Sequence, residues 1–184
     1  MWTFLVIILI LAIYIVSVYN GLAARRNQAR EAWSTIDTQL KRRYDLIPNL
    51  VGVVKGAAKH ESGTLEAVIK ARNAAMSATG VDKKSAAENN LAGALKSVFA
   101  LAESYPVLRA NENFLELQRE IADTETKIQA ARQFYNTVVM GLNTVIDQFP
   151  SNVIANMFKV AKEKFFELDE EEKSAVKKAP KVEF

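Results

Sequence analysis

Hydrophobic residues run unbroken through WTFLVIILILAIYIVSVY (2–19), where no charged side chain occurs; only beyond Gly21 do they alternate with polar ones. As a helix this run rises about 27 Å, close to the roughly 30 Å hydrocarbon thickness of a bilayer. Its amphipathic rings are Trp2, Tyr14 and Tyr19, with Trp2 and Tyr19 at opposite ends, where such side chains favour the headgroup level. A cleavable signal peptide is the competing reading, with Leu22-Ala23-Ala24 as its cleavage site. Against it, no basic segment precedes the apolar run, and the run exceeds the usual h-region of about 7–15 residues. The pattern predicts a retained anchor.

Beyond the anchor the apolar spacing is helical, and strand signals are nearly absent. Ala29, Trp33, Ile36 and Leu40 recur at steps of three and four, continuing the anchor helix out of the membrane. Pro48 predicts a break there, since proline disfavours helical geometry at Ile47 and suits the first turn of a new helix. Asp45 is the expected cap for that turn. A second helix is expected over 48–78, with Val51, Val54, Ala58, Leu65, Val68 and Ala75 inward and Gly80 as a left-handed cap. A third uses Leu91, Leu95, Val98, Ala102 and Tyr105, and Pro106 ends it.

The fourth helix has the most regular pattern. Asn113 with Glu116 fits a capping box. From Phe114 through Leu117, Ile121, Thr124, Ile128, Ala131, Tyr135, Val138, Leu142 and Val145 to Phe149, steps of three and four alternate without interruption. Pro150 ends it, and Ser151 or Asn152 is expected to cap a short helix after it. The fold class predicted is all-α: an N-terminal transmembrane helix continuing into an elongated antiparallel bundle of long helices. A seam of this length serves either as monomer core or as a surface for self-association. The domain division expected is an anchor over 1–21, a bundle over 22–162 and a charged tail over 163–184. Acidic 167–172 and the lysines after it make that tail a solvated end, or a peptide that docks through Pro180, Val182 and Phe184.

Charge adds an orientation. Arg25, Arg26 and Arg30 follow the span and no Lys or Arg precedes it, so the positive-inside rule puts the N-terminus outside and the domain in the cytoplasm. Export of the domain is the alternative. Between Asn20 and His60, eight basic residues stand against three acidic ones, which suits anionic headgroups. The basic residues are not interleaved with exposed aromatics, so no nucleic-acid partner is expected.

Candidate chemistry is sparse. The chain has no cysteine and one histidine, which excludes thiol catalysis and any metal site needing two imidazoles. His60-Glu61 lacks the second histidine of a zinc-protease motif, Thr64 standing in its place. Glu-x-x-His fails because Ala57 precedes His60 by three residues. There is no G-x-S-x-G elbow and no phosphate-cradling glycine loop. No enzyme, metal or cofactor is expected. Arg43 and Asp45 beside Pro48, and Phe149, Pro150 and Asn152 at the second proline, read as structural fixtures or partner contacts.

RRYDLIPNLVGVVKG (42–56), HES (60–62), QFYN (133–136), FPSNVIANMF (149–158) and PKVEF (180–184) together resemble the bacterial LemA family, over almost the whole chain. The resemblance implies a single-pass membrane protein with long antiparallel helices and no assigned reaction. It also implies association with an HtpX-type membrane metalloprotease, and, in a divergent branch, a part in magnetosome formation. The function expected is therefore a membrane-anchored scaffold or adaptor that forms homo-oligomers and binds membrane proteins. The alternative is a module that binds anionic membrane lipid.

Overall fold

The computed structural model describes residues 1–58 and 61–166. These are all helical, as the periodicity predicts: α1 (Trp2–Ala57), α2 (Ser62–Ser77), α3 (Val81–Glu103), α4 (Pro106–Arg109), α5 (Glu112–Asp147) and α6 (Ser151–Met157). They group into two compact units. One comprises Met1–Asp37 with Gln129–Phe165, the other Thr38–Ile128 with Phe166, so α1 and α5 contribute to both. The opening stretch of α1 is long and apolar enough to cross a membrane, and none of it is buried inside the protein.

The expected break at Pro48 does not occur. α1 runs through the proline to Ala57, and Asp45 lies on its exposed face rather than capping a new helix. A proline inside a helix lacks the N–H that would bond the carbonyl four residues back, here that of Tyr44. The Arg72 side chain of α2 supplies the missing donor: its Nε donates to the Tyr44 carbonyl oxygen at 2.7 Å. With that acceptor satisfied, the buried stripe stays in phase through Leu40, Arg43, Ile47, Leu50 and Val54. Of the inward positions expected for the second helix, Val54, Ala58, Leu65, Val68 and Ala75 are buried and Val51 is half-buried; Val51 and Val54 lie on α1, Ala58 just past its end, and the rest on α2.

Two caps also differ. The α5 start is held by Asn111, whose Oδ1 accepts the Phe114 N–H at 3.1 Å, and not by Asn113. Gly80 does take a positive φ of 80°, but at the entry to α3 rather than as a left-handed end to the helix before it. In the unit of residues 38–128, α2 packs along α3. Leu65, Val68, Leu91, Leu95, Val98, Leu108 and Ile121 form its core, and Phe99 meets Phe114 edge-on at 6.3 Å.

In the other unit, α1 and α5 run antiparallel. Trp33 lies edge-on to Tyr135 at 5.4 Å, and the Arg25 guanidinium lies across Gly141. Ser151 does not cap α6; its hydroxyl turns back to the Val145 and Gln148 carbonyls at 2.6 and 2.9 Å, closing the end of α5. After α6 the chain returns along α5. Asn143 clasps the Glu163 backbone, donating to its carbonyl at 2.9 Å and accepting its N–H at 3.0 Å. Tyr135 donates its hydroxyl to the Lys164 carbonyl at 2.9 Å.

The α5 seam is buried as expected from Phe114 to Tyr135, except at the half-buried Leu117, but then it shifts. Val139, Leu142 and Ile146 are buried, while Val138 and Val145 are half-buried and Phe149 is exposed. A straight helix drifts about 20° per heptad from a strict 3.5-residue repeat, so over five heptads the buried stripe moves round by roughly one position.

Two predictions follow from these contacts. Removing the Arg72 donor by Arg72→Ala should cost about 1–3 kcal/mol in chemical denaturation, because the Tyr44 carbonyl loses its partner. In a Pro48→Ala background, where an N–H is restored, the same change should cost clearly less; equal losses would refute the pairing. Burial, helped by the Glu163 carboxylate, pushes the Tyr135 hydroxyl up to about 12 from an ordinary 10.0. A raised folded pKa means the native state keeps its proton longer than the unfolded state. The contribution is therefore whole below pH 10 and is lost as pH rises through about 12. The stability advantage of the native protein over Tyr135→Phe should shrink across that window in alkaline unfolding curves.

Candidate functional site

The unit formed by residues 38–128 holds a buried cluster of charges and an open apolar groove. The cluster arises because three helices each place a polar residue on an otherwise apolar stripe. On α1, Arg43 falls between Leu40 and Ile47 at steps of three and four and is 1% exposed. On α3, Glu88 takes the equivalent place before Leu91 and Leu95 and is 3% exposed. On α5, Thr124 is buried and satisfied within its own helix by donating to the Glu120 carbonyl at 2.7 Å, and Glu125 stands beside it.

The Arg43 guanidinium donates from one terminal nitrogen to Glu88 and from the other to Glu125, forming two ion pairs. The Tyr44 hydroxyl donates to the second oxygen of Glu88. Lys84 is turned inward as well: its ammonium donates to the Ala75 carbonyl at 3.0 Å and sits 5.6 Å from the centroid of the Tyr44 ring. Arg43, Lys84 and Glu88 are thus buried, and the half-buried Glu125 brings the charges of the cluster to two of each sign. At the surface, Asp123 lies between Lys127 at 2.8 Å and Arg42 at 3.7 Å. The Lys127 contact, with Arg42 adding to it, holds its carboxyl below the usual range.

Burying such charges is expensive, and the attraction between them repays it only with good geometry and further hydrogen bonds. A guanidinium fork between two carboxylates, plus a tyrosine hydroxyl on one of them, supplies both. The cluster has no reacting group poised beside open space. Its chemistry is that of a register pin: both terminal nitrogens of Arg43 find carboxylates in one alignment of α1, α3 and α5, although its Nε has no partner, and any other alignment leaves charge unpaired.

The groove, of about 500 Å³, lies where the end of α1 meets α2. Val51, Ala58, Leu65 and Ile69 form its apolar floor, and Lys55, Glu66 and Lys70 stand along its rim. Near its mouth, Glu61 accepts a hydrogen bond from the Tyr105 hydroxyl at 3.1 Å, which raises the pKa of that hydroxyl. An apolar floor with a rim of both charge signs suits an amphipathic helix or an apolar peptide segment. Among the described residues, no group of three or more carboxylate, imidazole or thiol side chains comes together.

The residues singled out from the sequence are dispersed. Trp2, Tyr14 and Tyr19 point outward from the apolar span at 82%, 39% and 42% exposure. Arg25, Arg26 and Arg30 are exposed on the turns after it. Arg43 enters the cluster, whereas Asp45 and Pro48 lie on the outer face of α1. Phe149 is exposed beside Pro150, with a cis peptide bond between them, and Asn152 is half-buried. His60, Pro180 and Phe184 lie outside the described residues. Sequence reasoning missed Glu88, Glu125, Lys84 and Arg72. The available signal was periodicity: Glu88 sits in phase with Leu91 and Leu95, and a charged residue on a core stripe calls for a buried partner.

The sequence model of the LemA family matches residues 32–184. Protein LemA of Metamycoplasma hominis is 29% identical over 159 residues, covering 84% of this chain and 71% of that protein.

Arg43→Ala should destabilise the protein by about 3–5 kcal/mol, since it strands buried carboxylate charge. Glu88→Met should also be costly, but the Arg43→Met/Glu88→Met pair should recover part of the two separate losses. Strict additivity in a denaturation cycle would mean that the two side chains do not act together.

Proposed function

The chain belongs to the LemA family, and from that premise we propose that it is a membrane-anchored, non-enzymatic adaptor that engages other membrane proteins through the groove between α1 and α2. The observation that carries this reading is the groove itself, an apolar recess of about 500 Å³ lined by the end of α1 and by α2. Its apolar floor and mixed-charge rim favour a helical or extended segment with apolar residues at regular spacing over a small polar substrate. The partner proposed first is an HtpX-type membrane metalloprotease.

The uncharged, unburied span that opens α1 supports a single-pass bacterial inner-membrane protein. The three exposed arginines after it support an N-terminus outside and a domain in the cytoplasm. The same arginines favour a second reading, a module that organises anionic lipid around the anchor.

Self-association belongs to the proposal but is assigned to a different surface. Most of the α5 seam is buried within the chain, so copies would meet through exposed apolar residues such as Phe134 and Met140 on the outer face of α5.

A photo-crosslinking residue at Glu66, in full-length protein co-expressed with the membrane metalloprotease of the same cell, should give a defined adduct. Leu65 is part of the groove wall but also of the core, so the competing variant is Ile69→Glu, which charges the floor from a half-buried position. That change should abolish most of the adduct while leaving the helical signal intact. An adduct untouched by Ile69→Glu would remove the groove from the account. Light scattering in mild detergent, corrected for bound detergent, should return a multimer that Phe134→Asp reduces towards the monomer.

A further inference from the structure

The unit that carries the apolar span has a second apolar surface, at the turn from α5 into α6. Phe149 is 82% exposed, Val153 58%, Met157 59% and Phe158 45%. Ile154 and Ala155, on the opposite side of α6, are buried against the protein. The short helix thus buries Ile154 and Ala155 on one side, while on the other Val153 and Met157, beside the polar Asn156 and flanked by Phe149 and Phe158, are left uncovered. A surface turn would ordinarily be polar on the second face.

The depth of this turn follows from the antiparallel pairing of α1 and α5. Gly141 lies against Arg25, and Tyr135 against Trp33. Each step along α5 is matched by a step back along α1, so the end of α5 near residues 147–149 comes level with Tyr19. The structure agrees independently: the Phe158 ring rests on the Tyr19 ring with centroids 4.6 Å apart. Tyr19 is the last residue of the apolar run 2–19, six residues before the first charged side chain, Arg25. The exposed side chains of the turn therefore stand at the level where the span ends, and just beyond them lie two exposed lysines, Lys159 and Lys162, the latter paired with Asp147 at 2.7 Å.

We propose that the α5–α6 turn is a membrane foot. Phe149, Val153, Met157 and Phe158 bed into the boundary between headgroups and acyl chains of the leaflet from which α1 emerges, and the lysines that follow meet the phosphates. The occupant is phospholipid because the surface continues that of the span, at the same level, with an aromatic contact joining them. Apolar side chains backed by basic ones are the composition that interfacial elements use. The foot rests on the reading of 2–19 as a membrane anchor. It adds a second point of contact, which restrains the tilt of this unit on the bilayer where a lone helix would leave it free.

The absence of cysteine makes the test direct. Full-length Val153→Cys and Met157→Cys, each labelled with a fluorophore, are reconstituted into phosphatidylethanolamine–phosphatidylglycerol vesicles containing lipids with a nitroxide near the top of the acyl chain. Val16→Cys reports on the anchor, and Gln133→Cys, exposed on α5 far from Tyr19, reports on water. Labels at Val153 and Met157 should lose most of their fluorescence, as the Val16 label does, while the Gln133 label keeps its own. If Val16 is quenched while Val153 and Met157 behave like Gln133, the foot is overturned and the anchor stands. That result would also follow if the surface were reserved for a protein partner missing from the vesicles. An unquenched Val16 label would overturn the anchor, and the foot with it.

Discussion

The continuity of α1 depends on one hydrogen bond that the helix itself cannot make. Pro48 deprives the Tyr44 carbonyl of its usual donor, and an acceptor left without a partner in a half-buried setting costs on the order of 1–3 kcal/mol. Arg72, from the next helix, donates to it. The substitution also fixes where α2 stands, because the arginine must reach that carbonyl from α2. The groove between these helices is therefore set by the same contact, since Val51 and Ala58 come from one wall and Leu65 and Ile69 from the other.

One turn before the proline, Arg43 applies a second constraint of a different kind. The Arg43–Glu88–Glu125 cluster occupies a layer that Leu or Ile would fill as well or better in pure stability, because buried ion pairs rarely outperform apolar packing. What an apolar layer lacks is a penalty for sliding. Leucine stripes at steps of three and four look alike after a shift of one heptad, whereas a guanidinium moved by a heptad loses both carboxylates. Long helices with repetitive seams meet this ambiguity more severely than short ones. A charged pin near the middle of the packed stretch is the economical solution.

Much of this was legible in the sequence for a simple reason: periodicity reports burial, and burial is mostly set by each helix's own face. Ala29, Ile36 and Leu40, the alternation from Ile121 to Tyr135, and the core of α3 all appear where the spacing puts them. What was not legible involves partners distant in the chain. Pro48 is a local breaker, and only the presence of Arg72 across the bundle makes it tolerable. Asn113 fits a capping box as well as Asn111 fits an N-cap, and the choice between them depends on how the chain enters from α4. Ser151 reads forward as a cap for α6, yet its hydroxyl faces back because the end of α5 leaves carbonyls to satisfy. The groove has no motif at all, being a space between two helices.

Exposed apolar side chains are unevenly divided between the two units. Outside the span, Phe134, Met140, Phe149, Val153, Met157, Phe158 and Phe165 are exposed in the unit that contains it. In the other unit the large exposed hydrophobics among the described residues are Met76 and Val107. Scattered exposed apolar residues are ordinary on any soluble surface, but a one-sided distribution is not. Among the described residues it supports the proposed reading, in which the two units face different surroundings. The unit with the span presents an outer surface suited to lipid and to the sides of membrane proteins. The unit of residues 38–128 confines its apolar character, among the described residues, to a core pinned by charge and to a recess with a charged rim, a distribution that suits the docking role proposed for that recess. Because α1 and α5 each pass through both units, one pair of helices must satisfy both environments. The change in pattern along them, from an uncharged run to a seam interrupted by Arg43 and Thr124, is that requirement written in sequence.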